Sequence, residues 1–252
     1  MVNLGNDEIV KYPFLAEAGK YLSDKGFSPE QFGTDPDLKK IVDNAFERII
    51  TASEGKIFKS DPTSNNSALP LEIFSFLIAV IMLKLSGMNT LIRRFSLAEA
   101  RRAEKFLEKD LMNHQDVTKA KLSLQILQEL FSVTVEKVDE EFTILVSDYL
   151  KHSINFHERE WKLINRKVVN GKVHLTPHET VRLVRKELDR HIYTKINSSS
   201  SPEMIRGFET YVDKLKQLAK KFEVKTVESK EFPPCIKHAI EVLEKGENLP
   251  HS

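Results

Sequence analysis

A single cysteine, Cys235, stands in a chain of 252 residues. One thiol excludes an internal disulfide, and the scarcity of thiols fits a reducing compartment. Neither sign of charge is in surplus. A formal net charge of +1 argues against wholesale coating of nucleic acid and leaves only local basic patches open. The amino terminus, Met1 to Glu8, has no basic stretch followed by an apolar core, so no secretion signal is expected. The most apolar run, Ile73 to Leu85, falls short of the about 20 residues needed to span a bilayer and reads as a buried helix. No Walker loop, glycine-rich phosphate cradle or nucleophile-elbow Gly-x-Ser-x-Gly pattern occurs. No repeat at solenoid spacing is found either. Hydrophobic residues at 40% and charged residues at 30% describe a globular protein with a heavily charged surface, long enough for one large domain or two small ones.

Helix signals dominate the first half. Ser28-Pro29-Glu30 and Asp35-Pro36-Asp37 each set a polar cap before a proline at the first helical position. The second opens an apolar stripe through Leu38, Ile41, Val42, Ala45, Phe46, Ile49 and Ile50. After a polar loop from Lys59 to Ser67, a helix starting at Pro70 is apolar nearly all round, and Gly87 can end it in the left-handed conformation. A helix of that character belongs at the centre of a bundle. Ser96-Leu97-Ala98-Glu99 reads as a capping box opening a helix to about Leu111, and Asp116 as the cap of another that carries Leu122 to Phe131.

The pattern then changes to β-branched strands, Val133 to Val138 and Phe142 to Val146, separated by the acidic turn Asp139-Glu140-Glu141. Asn170-Gly171 between Val168-Val169 and Lys172 to Leu175 signals a hairpin, and Thr176-Pro177-His178-Glu179 is a capping box that returns the chain to helix. After Ser198 to Ser201, Pro202 opens one more helix to about Phe222, and Glu223 to Glu231 has the charged, aperiodic character of a linker. The expected fold is mainly α: a helical domain over residues 1–130 and 191–222, an inserted α/β subdomain with its return helix over 131–190, and a last segment over 223–252.

Phe232-Pro233-Pro234-Cys235-Ile236-Lys237 resembles the opening of the iron–sulfur domain in the archaeal and eukaryotic DNA primase large subunit family. Leu91 to Ala100, Asp148 to Lys151 with Trp161-Lys162-Leu163, Gly171 to Leu175, and Lys11 to Phe14 are similar to that family in the same order, so the resemblance covers most of the chain. It implies that Cys235 is the first of four ligands to a 4Fe-4S cluster whose other three ligands lie further along. With one thiol the chain as written is not expected to hold the cluster, so it reads as the amino-terminal part of such a subunit. The resemblance further implies a regulatory, non-catalytic subunit that forms a heterodimer with the catalytic small subunit and promotes RNA primer initiation on a DNA template. Contact with a replicative DNA polymerase, an archaeal source and a cytoplasmic, nucleoid-associated location, or a nuclear one if eukaryotic, follow as expectations.

Tyr149, Trp161 and Leu163 are the candidate anchors for the small subunit, with packing inside the α/β unit as the competing role. Arg93, Arg94, Arg101, Arg102 and Lys105 form the densest basic run. They read either as a solvated helix face paired with Glu99, Glu104 and Glu108 or as contacts to template phosphate or a partner. Lys214, Lys216, Lys220, Lys221 and Lys225 allow the same two readings. His174 and His178 are separated by a helix boundary and do not share a face as zinc ligands would. Asp35 and Asp37 read as a cap rather than a magnesium pair. A stand-alone nucleic-acid-binding module acting through the basic run is the alternative function.

Overall fold

The computed structural model describes residues 6–15, 18–20, 24–58, 68–112, 123–128, 134–138, 141–154, 156–198, 202–222 and 233–234. The polar loop from Lys59, the cap at Asp116, the linker from Glu223 and Cys235 lie outside them. Among the described residues the order is α1 (Asn6–Lys11), α2 (Pro29–Thr34), a 3-10 turn (Pro36–Leu38), α3 (Lys39–Ser53), α4 (Ala68–Ser86) and α5 (Asn89–Met112). Next come β1 (Val135–Val138), β2 (Glu141–Leu145), α6 (Val146–Ser153), 3-10 turns at Arg159–Trp161 and Leu163–Asn165, β3 (Val168–Val169), β4 (Lys172–Leu175), α7 (Pro177–Ser198) and α8 (Glu209–Lys220). The protein is mainly α with one small antiparallel sheet.

Helix α4 takes the central place that its all-round apolar character demands, packing against α1, α3, α7 and α8. Its end is set by Gly87, at φ +68°, whose amide donates to the carbonyls of Leu83 and Lys84. Helices α5 and α7 form the most extensive helix pair, and residues from the helices and the sheet share one core. Asp35 does cap, its Oδ1 accepting from the Asp37 amide at 2.9 Å. At one point two backbones touch: a Cβ on Gly33 would collide with Arg206 O, and one on Gly207 with Gly33 O.

The capping box expected at Ser96 does not exist. Helix α5 begins seven residues earlier, at Asn89, directly after the Gly87 turn. Ser96 lies inside it, buried, and donates to Ile92 O at 2.9 Å. Glu99, the other half of the expected box, is drawn away by a cation on another helix. Arg48 Nε and Nη2 donate to its two carboxylate oxygens at 2.6 and 2.7 Å. Arg48 Nη1 also donates to Glu72 Oε1 at 2.8 Å, an oxygen shared with Arg102 Nη2 at 2.8 Å. Four buried charges therefore join α3, α4 and α5.

The sheet has the order β1-β2-β4-β3. The register pairs Val135 with Ile144, Phe142 with Leu175 and Ile144 with Val173, so one face is apolar and lies toward α7. The opposite face carries Glu136 bound to Lys172 at 2.5 Å, and Glu141 bound to Lys167 at 2.8 Å and to His174 at 2.7 Å. The β3–β4 hairpin turns at Asn170 and Gly171, both with positive φ. At Thr176 the capping box forms in full: its amide donates to Glu179 Oε2 at 2.9 Å and its Oγ1 accepts from the Glu179 amide at 3.2 Å.

Candidate partner interface and basic surface

The segment from α6 to α7 folds around aromatic rings. Tyr149, on the inner side of α6, is fully buried and donates through its hydroxyl to Trp161 O at 2.7 Å. Trp161 is also buried, stacked on Phe156 at 4.2 Å between centroids, with the Arg166 and Arg182 guanidiniums 4.8 and 5.3 Å from its ring. Arg166 donates to Tyr149 Oη at 3.0 Å and to Glu179 Oε1 at 2.6 Å. Burial acts to lower the Arg166 pKa, but its bonds to Glu179 and Tyr149 outweigh that and raise it above the ordinary arginine value. Of the three expected anchors, Tyr149 and Trp161 thus sit inside the unit and Leu163 is half-buried against the core.

Beside the charged outer face of the sheet, the unit also turns aliphatic side chains outward. Leu150 and Ile154 lie one helical turn apart at the end of α6, and Ile154 is 74% exposed. Ile164, in the turn before β3, is 90% exposed. Val168 and Val169 form the sheet edge, and Leu145 lies on the same outer row as Val169 through Lys172. Most of this exposure is not legible in the sequence: valine in a short β-rich stretch is expected to be core, and Leu150, Ile154 and Ile164 lie in a short helix and an aperiodic turn that give no facing. The signal available was the length of β3, two residues at an edge, too short to be covered on both faces.

The five candidate contact residues on α5, Arg93, Arg94, Arg101, Arg102 and Lys105, do not share one surface. Arg102 is buried, donating to Val10 O as well as to Glu72. Burial and the neighbouring Arg48 lower its pKa. Arg93 lies over the Tyr193 ring of α7. Between α5 and α7, burial lifts the Asp189 carboxyl above the usual carboxylate range, while Arg101 and Arg93 draw it back.

Arg94, Arg101 and Lys105, spaced by seven and four, form one stripe along α5. Arg94 donates to Ser53 O at 2.7 Å and Arg101 reaches Gly55 O at 3.5 Å, so both cover the carboxyl end of α3, where cations are favoured. Arg94 also lies 4.1 Å from the Phe222 ring. Lys105 makes no ion pair among the described residues.

On α8, Lys214 packs over Phe46 and Tyr211, while Lys225 falls outside the described residues. His174 and His178 bind Glu141 and Glu108 separately. No group of three or more metal-ligating side chains occurs among the described residues, and no described helix is long and apolar enough to cross a membrane.

Residues 87–205, from the Gly87 turn through the sheet and α7, match the family model for the large subunit N-terminal domain of eukaryotic and archaeal DNA primase. Over nearly the whole chain there is also similarity to proteins named DNA primase large subunit PriL. The one from Methanococcoides burtonii is 30% identical over 99% of this chain and 70% of its own length. Those from Methanosarcina acetivorans and Methanocella arvoryzae are 29% and 28% identical, over 98% and 96% of this chain. The chain spans 66% and 65% of the lengths of these last two, about two thirds. With the helical scaffold, the aromatic-centred α/β segment and this run of similarity in one order, the chain belongs to the DNA primase large subunit family.

Proposed function

We propose that this chain is the scaffold of a non-catalytic primase subunit, and that it docks the catalytic small subunit through the outer surface of the inserted α/β unit. The observation that carries the reading is the set of exposed aliphatic side chains at Leu150, Ile154, Ile164, Val168 and Val169, within the stretch that matches the family model. Apolar side chains gathered on one small unit are what a partner surface requires. Tyr149 and Trp161 support this surface from beneath by fixing α6 and the following turns.

Such a subunit acts by orientation. It holds its partner and whatever nucleic acid the complex engages in a fixed relation, so that the first bond of an RNA primer on its DNA template forms as an effectively unimolecular step. Cys235 is a candidate ligand of the family's 4Fe-4S cluster, but the residues present do not fit that group. One thiolate stands where four are needed, so no step is derived through it.

The test is binding to the catalytic small subunit from the same source. Ile154→Glu and Ile164→Glu should each weaken association roughly tenfold or more, the scale of a burying interface contact, with the melting temperature unchanged. Met204→Glu, at another exposed apolar position, after α7, should have no effect. Unchanged affinity in both isoleucine variants would move the interface off this unit.

A further inference from the structure

An open cleft of about 820 Å³ lies between the end of α3 and the middle of α5. Two half-buried phenylalanines, Phe58 and Phe106, line it, each backed by a buried guanidinium: Arg48 lies 5.5 Å from the Phe58 ring and Arg102 5.0 Å from the Phe106 ring. Lys56 and Lys105 stand beside them. Lys105 has no ion pair among the described residues, and Lys56 is held only by the exposed carboxylate of Glu54 at 2.7 Å, a surface pair that a stronger anion displaces at little cost. Glu47 is the one carboxylate in the lining. The Arg94–Arg101–Lys105 stripe of α5 ends here, so its positive potential runs into the cleft.

From this juxtaposition of rings and ammonium groups we propose that the cleft binds a nucleotide unit, its base against Phe58 and Phe106 and its phosphate between Lys56 and Lys105. Aromatic faces accept any base by stacking, and ammonium groups take phosphate as point charges, so the site is indifferent to sequence. The nucleotide could belong to a single strand or be a free nucleoside triphosphate. The cleft is built from α3 and α5 and is separate from the exposed aliphatic surface of the α/β unit, so the inference goes beyond small-subunit docking and is measured on the chain alone.

The experiment titrates the purified chain into a fluorescent single-stranded DNA 12-mer at several salt concentrations, and separately into a fluorescent ATP analogue. The variants are the Lys56→Gln, Lys105→Gln double mutant and Phe58→Ala. The double mutant should lower the slope of log affinity against log salt by roughly 1.4, the release expected for two single-strand phosphate contacts. Phe58→Ala should weaken binding roughly tenfold, the scale of one lost base stack.

If the 12-mer alone binds with these dependences, the source is a strand; if the ATP analogue shows the same losses, it is a free nucleotide. Parental affinity and slope in both variants would overturn the proposal, and so would failure of the parent to bind either probe. Melting temperatures distinguish lost contacts from lost folding. Met204→Glu, outside both the cleft and the docking surface, serves as the internal reference: it should leave both probes unaffected, and because the titration needs no small subunit a failed docking reading leaves this result standing.

Discussion

Arg48 is the residue on which the helical part turns. Its guanidinium is fully buried and uses all three nitrogens on Glu99, Glu72 and Ser75. Burial opposes its charge, but the two carboxylates outweigh this and raise its pKa. For Glu99, burial pushes the carboxyl up and Arg48 pulls it further down, below the usual range. A folded pKa below the unfolded one gives stability that is complete above about pH 4.5 and lost as the pH falls through the folded value. Glu99→Gln should therefore cost about 3–5 kcal/mol at neutral pH, the usual penalty for breaking a buried ion pair. It should also flatten the acid limb of a melting-temperature profile; an unchanged limb would assign acid sensitivity to other carboxylates. Trp161 is a second such residue. Trp161→Ala removes a ring packed on Phe156 and two guanidiniums, and should cost about 3–5 kcal/mol in chemical denaturation. Any loss of small-subunit affinity in that variant should follow the loss of fold rather than precede it.

Elements explain which parts of the fold were legible from sequence. The pattern Ser/Thr-x-x-Glu occurs at Thr176 and at Ser96, yet only Thr176 caps a helix. Before Thr176 the chain is a strand and proline occupies the first helical position; before Ser96, Leu91 and Ile92 already continue the apolar stripe of a helix. Glu99 was unavailable for capping because of Arg48, 51 positions earlier, a pairing no local window contains. The hairpin at Asn170-Gly171 was legible because its turn needs positive φ at both residues, a purely local demand. Burial of Tyr149 and Trp161 was not, because the turns between them have no periodicity to give a facing. Thr176→Ala should destabilise the protein by about 1 kcal/mol through loss of the cap. Gly171→Ala should cost about 1–2 kcal/mol through left-handed strain. Both are read by denaturant midpoints, and a Gly171→Ala protein as stable as the parent would mean the turn can change type.

At the scale of the whole molecule, contacts distant in sequence close the fold. Lys195 Nζ donates to Phe14 O across 181 positions, and Tyr211 Oη donates to Asp43 Oδ1 at 2.6 Å across 168. Helix α8 seals the core from the far end, with Phe208, Val212, Leu215 and Ala219 buried and the helix packed on α4. Just before it, Gly33 and Gly207 let two backbones meet where no side chain fits. Alanine at either position should lower the melting temperature by several degrees, about the shift that 1–2 kcal/mol produces in a chain of this size. α8 also bears on how the chain is made. A ribosome adding roughly 5–20 residues per second delivers α4 many seconds before the helix that covers it. Through that interval the apolar side of α4 that awaits α8 stays open to water or to a chaperone. The nascent protein is therefore most exposed to aggregation in the interval between the synthesis of α4 and that of α8, and a slow codon anywhere between Ser86 and Glu209 would lengthen that hazard.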